Sequence, residues 1–186
     1  MFLREFRRIA PSGRHIAYEP LPILFKALER QFPEMDIRQR ALSNQNGEST
    51  FVHVQDRQLE GYSGLQERPY PGEVKTDKIS ISTERLDDHL PDGWLPNFVK
   101  IDVEGAETLV IEGAMRTLRR AKPVIAFEHG PGGSDQFGAS DDDTYNLLCV
   151  DIGLRLFDMD GNGPLDLAQF KDELASGDRW NWIAHE

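Results

Sequence analysis

Apolar residues are densest from Phe98 onward, where Phe98, Val99, Ile101 and Val103 form a β-rich run broken at its carboxyl end by Asp102 and Glu104. That density predicts a strand buried on both faces. The period then changes. Ala106, Leu109, Val110, Gly113, Ala114, Thr117 and Leu118 recur at three- and four-residue spacing, which predicts one amphipathic helix over 105–120. Pro123 stops the helix, and Val124 to Phe127 predict a second strand ending in Glu128 and His129. Strand, helix, strand is a βαβ unit with parallel strands, and open α/β sheets bind ligands at the carboxyl ends of such strands. Asp102, Glu104, Glu128 and His129 are therefore expected around one crevice.

The rest of the chain reads as alternating elements of the same kind. Phe2, Leu3, Phe6 and Ile9 lie on one side of a short helix over 1–9, ended by Pro11, Ser12 and Gly13. A strand is predicted over Arg14–Tyr18, a helix over Pro22–Gln31 and a strand over Asp36–Leu42. After the turn Asn44–Gly47, Ser49–Val54 alternates as a strand. Residues 56–76 have no helical or strand period and predict a long loop, of the kind that forms lids or binding segments. Lys78–Thr83 is a strand and Leu86–Leu90 a helical turn. Beyond the βαβ unit come a glycine-rich turn over 130–133, a helix over Asp141–Asp151, a strand over Leu154–Phe157, a helix over Leu165–Ala175 and a closing strand over Trp180–Ala184. No repeat or linker divides the 186 residues, so a single domain over 1–186 is expected.

Charge narrows the function classes. A formal net charge of −11 argues against a nucleic-acid or anionic-membrane surface, both of which require clustered Lys and Arg, and mildly suits a cationic ligand. Cys149 is the only cysteine, which excludes an intrachain disulfide and a cysteine zinc cluster. No apolar run approaches a bilayer-spanning length, and the cytoplasm is the expected compartment.

Three segments are candidates for chemistry. Glu19 closes the strand over 14–18, where a carboxylate can accept two hydrogen bonds at once from ribose hydroxyls. His129, just past the second βαβ strand, is the first candidate for a general base, with Asp102 and Glu128 behind it. Asp158–Gln169, DMDGNGPLDLAQ, matches much of a calcium-loop template, with Asp158, Asp160 and Asn162 at the first, third and fifth positions and Asp166 at the ninth. Gln169 stands where that template has glutamate, and a strand precedes the loop where a helix should, so a DG-type turn explains the same residues without metal. The acids lack the histidine spacing of a zinc site, and no metal is expected.

The segments IAYEP, QRALS, NGES, ISISTERLDDHL, VKIDVEGAETLVIEGA and KPVIAFEH, in this order, resemble the FkbM family of S-adenosylmethionine-dependent methyltransferases from about Pro11 to the end of the chain. The resemblance implies an α/β fold, a Rossmann-like class I methyltransferase sheet with flanking helices. It implies O-methylation of a hydroxyl on a sugar, lipid or secondary metabolite, so the expected partner is a small-molecule or glycan acceptor. Glu19 matches the ribose-binding acid of the cofactor site, and Asp102 the acid at the end of the fourth strand, beside cofactor and acceptor, with Glu104 next to it. The family's first strand and its D-x-G-A-N-x-G turn are not in this sequence, so the resemblance implies a sheet incomplete at its N-terminal side. With Met1 as the start, an exposed central edge would favour pairing with a second copy, a homo-oligomer. The alternative expectation is a shortened, non-catalytic methyltransferase-like interaction domain.

Overall fold

The computed structural model of the chain describes residues 2–55, 63–66, 74–131 and 133–186. Most of the loop expected over 56–76 lies outside the described residues. Two compact units divide the chain, Met1–Ala41 and Leu42–Glu186.

The smaller unit runs α1 (Phe2–Ile9), β1 (Ile16–Tyr18), α2 (Pro22–Gln31) and β2 (Asp36–Arg38). Pro22 opens α2, where a missing N–H costs nothing because the first-turn donors have no intrahelical acceptor. The helix ends at the buried Phe32, whose N–H bonds to the Leu28 carbonyl. β1 and β2 pair in parallel from Ile16↔Asp36 to Tyr18↔Arg38. Arg38 fixes their ends by donating to Asp36 and to the Tyr18 hydroxyl, each at 2.8 Å. The strand expected over Asp36–Leu42 is in fact two, β2 and β3 (Ala41–Leu42). The Arg40 N–H turns back onto the Arg38 carbonyl at 2.9 Å, and that three-residue turn interrupts the ladder.

The larger unit starts with a hairpin-like pair, β4 (Gly47–Val54) and β5 (Thr76–Glu84), antiparallel from Gly47↔Thr83 to Val54↔Thr76. A short helix, α3 (Leu86–His89), leads to β6 (Phe98–Ile101). Next come α4 (Glu107–Gly113), α5 (Met115–Ala121) and β7 (Val124–Glu128). A 3-10 turn over Ser134–Phe137 precedes α6 (Asp141–Tyr145), which widens into a π-helical stretch over Asn146–Ile152. β8 (Arg155–Asp158), α7 (Leu167–Ser176) and β9 (Asn181–His185) complete it. The four strands β6-β7-β9-β8 form one sheet in that order, with β6 and β7 parallel and β9 antiparallel to both its neighbours.

Its core gathers the buried apolar residues that the periodicity picked out, among them Ile101, Val110, Leu118, Ile125 and Phe127, joined by Leu148, Phe170 and Trp182. Trp182 is fully buried, meets the Phe170 ring edge-on at 4.9 Å, and donates its indole N–H to the His129 carbonyl at 2.9 Å. An indole needs such a partner once it leaves water. β6 differs from its sequence reading, because Phe98 is exposed and only Ile101 is buried. It is a terminal strand of that sheet among the described residues.

The helix expected over 105–120 is also two helices. α4 stops at Gly113, where a Cβ would lie 2.0 Å from the Ser43 carbonyl oxygen, so only glycine permits this approach. α5 then starts afresh, because Asp87 of α3 accepts from the N–H groups of Arg116 and Thr117, both at 2.8 Å. The acid of the RLDD segment thus supplies the cap that Ala114 cannot. Among the described residues no helix is long and apolar enough to cross a membrane.

Candidate functional site

β6 and β7 pair from Phe98↔Val124 to Ile101↔Phe127, so the next positions along this parallel register are Asp102 and Glu128. Glu104 joins them through an uncommon backbone. Its φ is +58°, and Gly105 follows at +101°, two left-handed residues in succession that fold the chain back after Asp102. A Cβ on Gly105 would come 2.6 Å from the Gly133 carbonyl oxygen, so this turn and the Gly130–Gly133 loop touch backbone to backbone. The result is a trio, Asp102, Glu104 and Glu128, with one carboxylate oxygen from each within 4.8 Å of the others.

Three acids at that spacing cannot all ionise without strong repulsion. Burial pushes Glu128 up, its hydrogen bond with Asp102 and the charges of Asp102 and Glu104 raise it further, and only Lys100 opposes them, leaving it at about 7 against a usual 4.5. Glu128 therefore gains and loses its proton within the neutral range. Lys100 stands 3.3 Å from Asp102, which keeps one positive charge beside the trio. Strand alternation brings this about, since residues 100 and 102 lie on one face of β6.

Behind the turn sits Glu107, the first residue of α4, only 2% exposed. Its Oε1 accepts from the N–H of Val103 at 3.3 Å and of Gly105 at 3.2 Å. Desolvation pushes its pKa up, while these N–H groups and the nearby His129 act against the rise. Glu107 is not one of the apolar positions of the helical stripe. The N–H groups it serves belong to the turn before the N-cap Ala106, so the helical period carries no signal of its burial.

His129 is placed away from solvent. It is 2% exposed, its Nε2 lies 2.9 Å from Asp141 Oδ1, and its ring stacks on Phe170 at a centroid distance of 5.7 Å. Its Nδ1 is buried with no hydrogen-bond partner among the described residues. Being next to Glu128 at the end of a strand, it belongs to the opposite face of the sheet. Of the four residues expected around one crevice, the structure brings Asp102, Glu104 and Glu128 together and encloses His129 against α6 and α7.

Glu19, in the smaller unit, follows β1 and is half-buried. Its N–H donates to the Arg38 carbonyl at 3.0 Å, and its Oε1 accepts from Leu21 N–H at 2.9 Å. The carboxyl of the EP turn is thereby held in one orientation.

The calcium-loop segment uses its acids internally. Asp158 is 4% exposed and accepts from Asp160 N–H, Asn162 N–H and the Asn162 side chain at 2.8–2.9 Å, and from Arg179 at 2.6 Å. These bonds and the Arg179 charge hold its carboxyl below the usual range. Asp166 and Gln169 form the capping box of α7.

Comparison with known proteins bears on the whole chain. The crystal structure of Methyltransferase FkbM from Methylobacillus flagellatus KT, at 2.20 Å resolution, is similar with a TM-score of 0.58 and 16% sequence identity over 99% of this chain. The chain spans 40% of the length of that protein, and at this identity the likeness shows the α/β fold. No curated protein matches the chain. The family model for the Methyltransferase FkbM domain matches residues 2–155, and the chain belongs to that family.

Proposed function

We propose that this chain carries out S-adenosylmethionine-dependent O-methylation of a small-molecule or glycan acceptor, a hydroxyl on a sugar, lipid or secondary metabolite. The observation that supports this reading above the others is the acidic trio at the ends of β6 and β7, with Glu128 raised to about 7. The donor is a nucleoside with a sulfonium and an ammonium, and three convergent carboxylates in a partly desolvated site suit positive charge. Bound there, it would supply a methyl group already activated on sulfur, so the transfer needs alignment above all.

The chain's own residues have separate tasks in this reading. Asp102 and Glu104 hold the cationic end of the donor by charge. Glu19, its carboxyl oriented by Leu21 N–H, serves the ribose hydroxyls. Glu128 is the group best matched to taking a proton from the acceptor hydroxyl, since a base is most effective when it titrates near the working pH. Asp102, hydrogen-bonded to Glu128, is among the groups that raise its pKa. The enclosed His129 keeps a role as a base only through Asp141, whose carboxylate is more exposed than the imidazole. A cytoplasmic setting fits this chemistry and the single free Cys149.

Calorimetric titration of S-adenosylhomocysteine into the 186-residue chain, beside Glu19→Ala, tests the reading. Binding that the substitution weakens supports it. A folded protein that binds no S-adenosylhomocysteine, or binds it equally well without the Glu19 carboxyl, overturns it.

A further inference from the structure

We infer that Glu107 is a positioning residue: its buried carboxylate clamps the turn that delivers Asp102 and Glu104 to the candidate site. One oxygen, Oε1, receives both the Val103 and the Gly105 N–H, at 3.3 and 3.2 Å. Those two N–H groups flank Glu104. The bonds therefore close a ring on either side of the one residue of the trio whose backbone is left-handed, at φ +58°. A non-glycine residue there is strained and persists only where its surroundings hold it.

The turn has a second restraint, the approach of Gly105 to the Gly133 carbonyl, but that contact is repulsive for anything larger than glycine and pulls nothing into place. Of the attractive restraints, one is the turn's own bond from the Ala106 N–H to the Val103 carbonyl at 3.3 Å, and the other comes from Glu107. Its position follows from its being the first residue of α4, whose amphipathic body is anchored by the buried Val110 and Ile111. With the carboxylate removed, two N–H groups lose their acceptor and the turn keeps only its single 3.3 Å backbone bond, so that Glu104 relaxes toward an ordinary right-handed or extended conformation. Asp102 stays at the end of β6, while the Glu104 carboxyl leaves the trio. Acceptor capacity, not charge, is what the clamp requires, because both partners are backbone N–H groups. The functional half of this inference rests on the methyltransferase reading; the structural half does not.

Two substitutions separate acceptor from bulk. Glu107→Gln keeps an oxygen that can accept both bonds, and Glu107→Leu fills the space without one. S-adenosylhomocysteine affinity is read by calorimetry, and amide hydrogen exchange of Val103 and Gly105 by NMR, on the full chain. Glu107→Gln is expected to keep affinity within about threefold and exchange slow, whereas Glu107→Leu weakens affinity about tenfold or more and speeds exchange at both amides. A folded Glu107→Leu with unchanged exchange and affinity overturns the inference, and so does a Glu107→Gln as impaired as the leucine variant. Should Glu107→Leu fail to fold, exchange in the wild type decides: slow exchange at both amides supports the clamp, and exchange at the rate of an open loop refutes it. Absence of binding by the wild type would count against the methyltransferase reading, and the exchange comparison would still decide the clamp.

Discussion

Glu128→Gln is the perturbation whose size follows most directly from the structure. The wild-type carboxyl is raised from 4.5 to about 7 by burial and by Asp102 and Glu104. Below pH 4.5 the folded and unfolded chains both hold this proton, and the pair contributes its full stability. As the pH rises through that value the unfolded chain releases the proton first, so stability falls until the folded carboxyl also ionises near 7. Converted in full, at ~1.4 kcal/mol per pH unit, the interval would amount to ~3 kcal/mol. Glu128 is only half-buried, and water and salt screen its neighbours, so ~1–2 kcal/mol is the expected loss. Gln has nearly the same shape, can still donate to Asp102, and does not titrate. Urea unfolding of both proteins between about pH 4.5 and 7.5 should show the wild type losing ~1–2 kcal/mol relative to Glu128→Gln, with equal m-values. Parallel stability curves would refute the argument, since they would mean that Glu128 has an ordinary pKa and that the three acids do not converge.

Removing the cap in Asp87→Ala deprives Arg116 and Thr117 of their acceptor and is expected to cost ~1–2 kcal/mol, read as a lower Tm; an unchanged Tm would contradict the two-helix account of 107–121. Gly113→Ala sets a methyl group 2.0 Å from the Ser43 carbonyl, a backbone atom that cannot swing aside, and should destabilise by about 2 kcal/mol or more in the same assay. Millimolar calcium should leave the Tm where it is, because the Asp158 carboxylate already accepts from two backbone N–H groups and two side chains, and Asp166 caps α7. A rise in Tm with calcium would show that these internal bonds give way to the ion.

The βαβ unit was legible because its two periods are strong: β-formers at 98–103 and 124–127, and a helical stripe between them. Once the strands are parallel and adjacent, the register alone puts Asp102 beside Glu128. Events at long sequence separation were not legible. The break at Ala114 depends on a carbonyl from Ser43 and a carboxylate from Asp87, and neither leaves a trace in the local period of 105–120. His129 follows the strand in sequence as the acids do, but alternation turns it to the other face, where Asp141 and Phe170 enclose it. Nothing in the helical period marks Glu107, because the two N–H groups it serves belong to the turn before α4. At Asp158–Gln169 the template counted the acids correctly, and only the structure shows which N–H groups they serve.

Donor binding at the trio is proposed to act on Asp102, Glu104 and Glu128 together, with Glu128 the group whose titration reports it. Carboxyl-carbon NMR titration of the full chain, with and without S-adenosylmethionine, addresses it most directly. One glutamate carboxyl is expected to titrate near 7, assigned to Glu128 by its loss in Glu128→Gln, and to move to lower pH when the donor is added. A Glu128 carboxyl that titrates in the ordinary glutamate range, or one near 7 that the donor leaves unmoved, would contradict it.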